Sequence, residues 1–144
     1  MKEALEKAYE HMKNNVTPKF TQNLSANINE ITNGKYSKVS INDENGLMVE
    51  LASGEYVSAE KLSLGTIDQL YLSLRLSINN DVSIENMPII LDEAFAYYDE
   101  ERLENILKYL IDKYGNKQII IFTCTNREEN ILNKFGYQFN KIML

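Results

Sequence analysis

Two short apolar segments separated by an amphipathic helix constrain the fold of this chain more than any other feature. Residues 89–91 and 118–122 have the length and composition of buried strands, and the apolar positions of residues 99–114 recur at helical spacing. A strand, a helix and a strand in this order predict parallel strands, because such neighbours need a crossover connection. A second helix over 127–135 and a last strand over 137–143 complete a predicted β-α-β-α-β half.

The first half of the chain has a different pattern. Residues 2–14 have helical spacing, and Thr17-Pro18 marks the start of a second helix that ends at Asn33-Gly34. Alternating apolar residues on either side of Asn45-Gly46 predict a hairpin and a small antiparallel sheet. The predicted inward residues of the second helix are Phe20, Leu24, Ile28 and Ile31.

A third helix is predicted from Thr66, which forms a capping-box pattern with Gln69. The sequence Asn79-Asn80-Asp81 is expected to end it. Its predicted buried face consists of Ile67, Leu70, Tyr71, Leu74 and Ile78.

Composition excludes several classes of protein. Acidic residues number 21 and basic residues 15, so the net charge of −6 disfavours a stand-alone DNA binder. One cysteine, Cys124, excludes an internal disulfide framework and a thiolate zinc site, and we expect its thiol to pack in the core. The single histidine disfavours a Ser-His triad. No apolar run approaches a membrane span and the first residues do not resemble a secretory signal, which favours a reducing cytoplasm.

The first candidate site is the pair Asp92-Glu93, which follows the apolar run directly. Ligands of open α/β sheets bind at the carboxyl ends of the strands. There, one carboxylate can hold magnesium and the next can polarise an attacking water. A strand that merely ends in a polar turn would have the same local sequence, so this pair alone is a weak signal.

The second candidate site is Ser63-Leu64-Gly65-Thr66, at the start of the third helix. A helix N-terminus with free N–H groups, a hydroxyl and a glycine is suited to bind phosphate. Simple helix capping by Ser63 or Thr66 is the alternative.

Together, these motifs resemble those of the ABC-type ATPase heads of SMC-like proteins, and most closely those of the YhaN-like branch. Residues 62–76 resemble the signature motif, 88–93 the Walker B strand and 94–99 the D-loop, in the order and spacing of the family. Residues 119–124 resemble the strand that leads to the switch residue. The resemblance implies an α/β fold: the C-terminal lobe of a P-loop ABC-type head, with parallel strands and crossover helices, an antiparallel hairpin region and an N-terminal coiled-coil-end helix.

The resemblance also implies site residues. In such heads two copies enclose two ATP molecules, and each signature helix contacts the γ-phosphate of the ATP bound by the other head. The implied roles are magnesium binding by Asp92, catalysis by Glu93, and nucleotide contacts by Ser63, Gly65, Thr66, Asp99 and Thr125.

Three departures qualify this interpretation. The switch position, usually histidine, is Thr125, and the first glycine of the signature is Leu64. No Gly-x-x-x-x-Gly-Lys-Ser/Thr phosphate loop occurs in the 144 residues. We therefore expect the C-terminal half of a split head, with residues 1–33 ending a returning coiled coil and 34–144 forming the lobe.

This assignment has consequences for partners and activity. The expected partners are a Walker A half and a second head; ATP and Mg²⁺ would bind only with the missing half, and the chain alone is expected to be inactive. The complete protein is expected to act in DNA repair or chromosome maintenance. Two alternatives stay open: a non-hydrolysing interaction module, and a magnesium-dependent phosphoesterase with Asp92 as nucleophile.

Overall fold

The chain forms two compact units, Met1–Ile84 and Glu85–Leu144. The computed structural model describes residues 17–42, 46–82 and 87–143. The helix predicted over 2–14 and the hairpin turn at 43–45 lie outside the described residues. Each unit is described by itself.

The first helix, α1, spans Thr17–Ile31 and has the predicted apolar face. Leu24, Ile28 and Ile31 are almost completely buried. The turn after the helix contains Asn33 and Gly34, which both have positive φ angles (52° and 81°). The Gly34 N–H donates to the Asn29 carbonyl over 2.8 Å, which satisfies a carbonyl of the last turn.

The alternating segments form a three-stranded antiparallel sheet, as predicted. Its strands are β1 (Val39–Asn42), β2 (Gly46–Glu50) and β3 (Tyr56–Ser58), with β2 in the middle. The facing pair Val39 and Val49 is buried and joins the sheet to α1. The buried cluster consists of Leu24, Ile28, Tyr36, Val39, Val49 and Leu70.

The second helix, α2, spans Leu64–Val82, so it continues past the predicted stop at Asn79–Asp81. The predicted buried face is also partly wrong, because Tyr71 is 56% exposed and Ile78 is 46% exposed. The buried side carries polar groups beside Leu70, Leu72 and Leu76. Ser77 accepts a hydrogen bond from Asn27 of α1 over 2.7 Å, and Gln69 donates to the Ile31 carbonyl. Small side chains and interhelical hydrogen bonds allow this polar face to be buried. No helix in the described ranges is long and apolar enough to cross a membrane.

The second unit contains the predicted parallel strands and helices. The strand β4 (Ile89–Asp92) is followed by α3 (Glu100–Tyr114), β5 (Ile119–Phe122) and α4 (Arg127–Lys134). Ile89 pairs with Ile119 and Asp92 with Phe122 in parallel register. The helix α3 supplies most of the core through Leu103, Ile106, Leu107, Tyr109, Leu110 and Tyr114.

Two expectations for this unit are corrected. β4 is buried on one face only, since Ile90 between buried Ile89 and Leu91 is 60% exposed. Residues 137–143 form no strand, although their apolar pattern predicted one. A strand exists only where a neighbour completes its hydrogen-bond ladder, and in the described residues β5 pairs with β4 alone.

Candidate active site

The parallel register brings the ends of β4 and β5 to one edge of the sheet. Asp92, the last residue of β4, faces Phe122, the last residue of β5. The Asp92 side chain is exposed at this edge. Whatever follows the two strands is therefore adjacent in space, as expected for ligand sites of parallel sheets.

Glu93 follows immediately and has an unusual backbone conformation. Its φ angle is +45°, in the left-handed region that costs a residue with a side chain about 1 kcal/mol or more. The neighbouring structure maintains it, because the Glu93 N–H donates to the Phe122 carbonyl over 2.9 Å. Such strain is concentrated at functional sites.

The Glu93 side chain turns towards the loop after β5. Its Oε1 accepts a hydrogen bond from the backbone N–H of Cys124 over 2.5 Å. The Cys124 thiol also binds this carboxylate, and the hydrogen bond and the negative charge raise the thiol pKa. The expected burial of Cys124 is wrong: the thiol is exposed beside Glu93, because β5 ends at Phe122 and the chain has left the core.

A second carboxylate, Glu128, lies under this loop and is 6% exposed. Its Oε2 accepts hydrogen bonds from the hydroxyls of Thr125 over 3.0 Å and of Thr123 over 3.1 Å. The Thr125 backbone N–H donates back to Thr123 Oγ1 over 3.1 Å. We call Thr123, Thr125 and Glu128 the hydroxyl–carboxylate cluster. The predicted switch residue is thus held by a buried acid.

The segment between Glu93 and α3 is held from both ends. Asp99 is the N-cap of α3 and accepts from the Arg102 N–H over 2.9 Å. Buried Tyr98 packs edge-on against Phe95, with ring centroids 5.5 Å apart. The Arg127 guanidinium of α4 donates to the Tyr98 carbonyl, which links this segment to the helix that carries Glu128.

The other predicted site residues lie in the first unit, at the start of α2. Ser63 is exposed, whereas Gly65 and Thr66 are buried. The Ser63 and Thr66 hydroxyls are 2.9 Å apart, and the Ser63 carbonyl accepts from the Ile67 N–H. The predicted capping box is therefore wrong: the helix starts at Leu64, Thr66 lies in its first turn, and Gln69 points to α1.

The described residues fit a magnesium ion only in part. They contain no group of three or more His, Cys, Asp or Glu side chains placed to hold a metal. Mg²⁺ is commonly held by one or two carboxylates together with water and substrate phosphates. Exposed Asp92 at the strand end can supply one such ligand, and the remaining ligands would come with a nucleotide.

Sequence reasoning missed Glu128 as a member of this site. A signal was present, because Thr125 and Glu128 have the Thr-x-x-Glu spacing of a capping box. The structure departs from that box in two respects: Asn126, not Thr125, is the N-cap of α4, and the glutamate accepts from the threonine hydroxyl rather than from a backbone N–H.

Comparison with known proteins shows which sequences and folds this chain resembles. No protein-family model matches the chain. It is 30% identical over 127 residues to an uncharacterized protein, YhaN, of Bacillus subtilis; the match covers 86% of the chain and 13% of YhaN. The chain thus spans about an eighth of the curated relative that it matches.

Solved structures show the same fold. A structure from work on ATP-driven dimerization and DNA-stimulated activation of SMC ATPases is similar with a TM-score of 0.68 and 15% identity, over 85% of this chain and 76% of that one. The SMC head domain of Thermotoga maritima matches with a TM-score of 0.62 and 14% identity, over 78% of this chain and 40% of that one. The expected α/β fold of an SMC-type ATPase head is confirmed.

Proposed function

We propose that this chain is the C-terminal lobe of an SMC-like ATPase head, and that it supplies the catalytic carboxylate and the signature helix for ATP hydrolysis between two heads. The observation that carries the proposal is Glu93, a strained residue directly after Asp92 whose carboxylate is anchored at the carboxyl edge of the parallel strands. The fold supports the proposal, because it is shared with an SMC ATPase studied for its ATP-driven dimerization.

The roles of the edge residues follow from their chemistry. Asp92 would hold Mg²⁺, which neutralises charge on the phosphates when it is bound. Glu93 would accept a proton from the attacking water as the water oxygen bonds to the γ-phosphorus and the bond to the β–γ bridging oxygen breaks. The Cys124 N–H holds Oε1 of Glu93 at this edge, where the carboxylate would receive the water.

The nucleotide contacts divide between the two units. In the first, exposed Ser63 and the start of α2 would meet the γ-phosphate held by the opposite head, since a helix N-terminus favours an anion. Buried Gly65 and Thr66 would shape that turn. In the second, Asp99 caps α3 and would transmit the state of the dimer through the segment that precedes it.

A phosphate-loop half of the head would complete the sheet. Both strands of the parallel sheet have a free edge in the described residues, and Ile90 and Phe122 are exposed. Residues 137–143 carry exposed Phe139 and Ile142 without a strand partner in this part of the chain. A further strand placed between β5 and residues 137–143 would hydrogen-bond to both segments and cover their exposed apolar side chains.

One observation favours a second function, a non-hydrolysing interaction module. The switch position holds Thr125, whose hydroxyl donates to Glu128, and threonine cannot exchange a proton near neutral pH as histidine does. The phosphoesterase alternative has less support, because the described residues show no cluster of metal-binding carboxylates around Asp92.

The decisive experiment is phosphate release by the complete head, formed from this chain and the polypeptide segment that carries the phosphate loop. We expect hydrolysis with the wild-type chain and a loss of at least about 100-fold with Glu93→Gln, the size typical of a lost general base. Glu104→Gln, which removes an ion pair between α3 and Lys134 of α4, is the matched control and should hydrolyse at the wild-type rate. Equal slow release by wild type and Glu93→Gln would favour the interaction module.

A further inference from the structure

We infer that Glu128 is a positioning residue that turns the Thr125 hydroxyl into a hydrogen-bond acceptor for the attacking water, rather than a donor to the γ-phosphate. This inference rests on the proposed function and deepens it. It starts from one geometric fact: the hydroxyls of Thr125 and Thr123 both donate to the same carboxylate oxygen of Glu128, over 3.0 and 3.1 Å respectively.

The hydroxyl protons and lone pairs of the cluster determine whether Thr125 can act as a hydrogen-bond donor or as an acceptor. The two hydroxyl oxygens are also 3.3 Å apart, but hydrogen bonds to an ionised carboxylate are shorter and stronger than those between neutral hydroxyls. Thr123 and Thr125 therefore each donate their single hydroxyl proton to Glu128. Each hydroxyl oxygen keeps two lone pairs that can accept, and Thr123 uses one of them for the Thr125 N–H, over 3.1 Å. Thr125 Oγ1 receives a long contact of 3.5 Å from the Arg127 N–H. Its second lone pair is left as an acceptor at the exposed end of the cluster.

Burial and the helix dipole keep Glu128 in this role. Glu128 is the second residue of α4, where the positive end of the helix favours a negative charge. Its side chain is buried, and a buried carboxylate without donors would be costly. Two hydroxyl donors satisfy it, which explains why the threonine protons are not available elsewhere.

The γ-phosphate and the attacking water differ in their hydrogen-bonding groups, and this difference determines which of them Thr125 can bind. Phosphate oxygens only accept hydrogen bonds, so an acceptor at Thr125 does not bind the γ-phosphate. Water has two protons: one can be directed to Glu93 and the other to Thr125 Oγ1. The two residues share an edge, because Cys124, which binds Glu93, precedes Thr125 directly.

The test separates catalysis from nucleotide binding in the complete head. We expect Thr125→Val to lower kcat by about tenfold, the value of one hydrogen bond of about 1.4 kcal/mol, and to leave the Kd for Mg²⁺ and a non-hydrolysable ATP analogue within twofold. Thr125→Ser should keep the wild-type kcat. A tenfold weaker Kd for Thr125→Val with unchanged kcat would show a phosphate contact and overturn the inference.

Glu128→Gln tests the positioning role. The amide nitrogen can donate to a threonine oxygen and release a hydroxyl proton, so we expect the same tenfold fall in kcat with no weaker binding of the analogue. Because Glu128 acts through Thr125, the double variant should fall no further than either single one. Glu129→Gln, which changes the next residue on the same helix, is the matched control. The inference would be overturned if the double variant lost the product of the two single-variant effects on kcat, or if Glu128→Gln kept the wild-type kcat.

Two further readouts keep the inference apart from the proposed function. If Glu93→Gln leaves hydrolysis unchanged, the proposed function fails whatever Glu128 does. The hydrogen bonds of the cluster can then be measured in this chain alone by NMR. Exchange of the Thr125 hydroxyl proton with water should be slow in the wild type and faster in Glu128→Gln. Equal exchange in the two proteins would overturn the inference, and matching melting curves would show that both are folded.

Discussion

The Glu93 carboxylate and the Cys124 backbone N–H are 2.5 Å apart, and this hydrogen bond ties the residue after β4 to the loop after β5. The contact places the only thiol of the chain against the carboxylate proposed to be catalytic. The thiol therefore reports on Glu93 in an experiment that needs no nucleotide.

The first prediction concerns the reactivity of this thiol. The hydrogen bond to Glu93 and its charge raise the pKa of Cys124, and a raised pKa lowers the thiolate fraction at pH 7. Alkylation by iodoacetamide should therefore be slower than that of an unperturbed cysteine peptide and faster in Glu93→Gln. The pH at half-maximal rate should move down in the variant.

The control for this labelling is Glu129→Gln, a carboxylate on α4 that binds Lys141. It should label at the wild-type rate. Equal labelling of wild type and Glu93→Gln would contradict the Glu93–Cys124 contact.

The second prediction concerns Asp99, whose capping role can be separated from any role with nucleotide. Asp99→Ala removes the hydrogen bond to the Arg102 N–H and should lower the free energy of unfolding by about 1 kcal/mol. Asp99→Asn keeps a capping oxygen and should lose less than half of that. Chemical denaturation of the chain measures both. Equal losses would indicate that the charge, and not the cap, stabilises α3.

The third prediction compares two isoleucines in the second unit. Ile106→Ala opens a cavity in the core below α3 and should cost about 2–5 kcal/mol. Ile90→Ala on the exposed face of β4 should change stability by less than about 0.5 kcal/mol. A large cost for Ile90→Ala that grows with protein concentration would mean that copies of the chain cover this face in solution.

The local sequence pattern was enough to predict those elements whose structure depends mainly on their own residues. α3 was predicted closely, because its apolar spacing is regular and Asp99 and Gly115 mark its ends. The hairpin and the parallel strands followed from alternation and from short apolar runs. The meeting of the residues after β4 and β5 at one edge of the sheet also followed, since residues that follow parallel strands must lie side by side.

Prediction from the sequence was wrong or incomplete where a structural feature depends on the helix, strand or loop that packs against it. The buried side of α2 combines Ser73 and Ser77 with leucines, and the Asn27–Ser77 hydrogen bond to α1 satisfies a polar group there, whereas predicted Tyr71 and Ile78 are exposed. Residues 137–143 had a strand pattern but have no strand neighbour in the described chain. Glu128 was missed because its role depends on a fold that brings two hydroxyls to one carboxylate.

The last prediction concerns the polar contact between α1 and α2. The Asn27 amide donates to the Ser77 hydroxyl over 2.7 Å, and both side chains are buried. Ser77→Ala removes the acceptor while the amide stays buried, so we expect a loss of about 1–3 kcal/mol. In the double variant with Asn27→Ala, the second change has no Asn27–Ser77 hydrogen bond left to break, so the loss should be smaller than the sum of the two single losses. Urea unfolding of the four proteins gives this coupling energy. Ser25→Ala, a half-buried serine of α1 that binds β1, is the comparison, since its effect should add to that of Ser77→Ala. Additive losses for Asn27 and Ser77 would show that this contact does not stabilise the packing of the two helices.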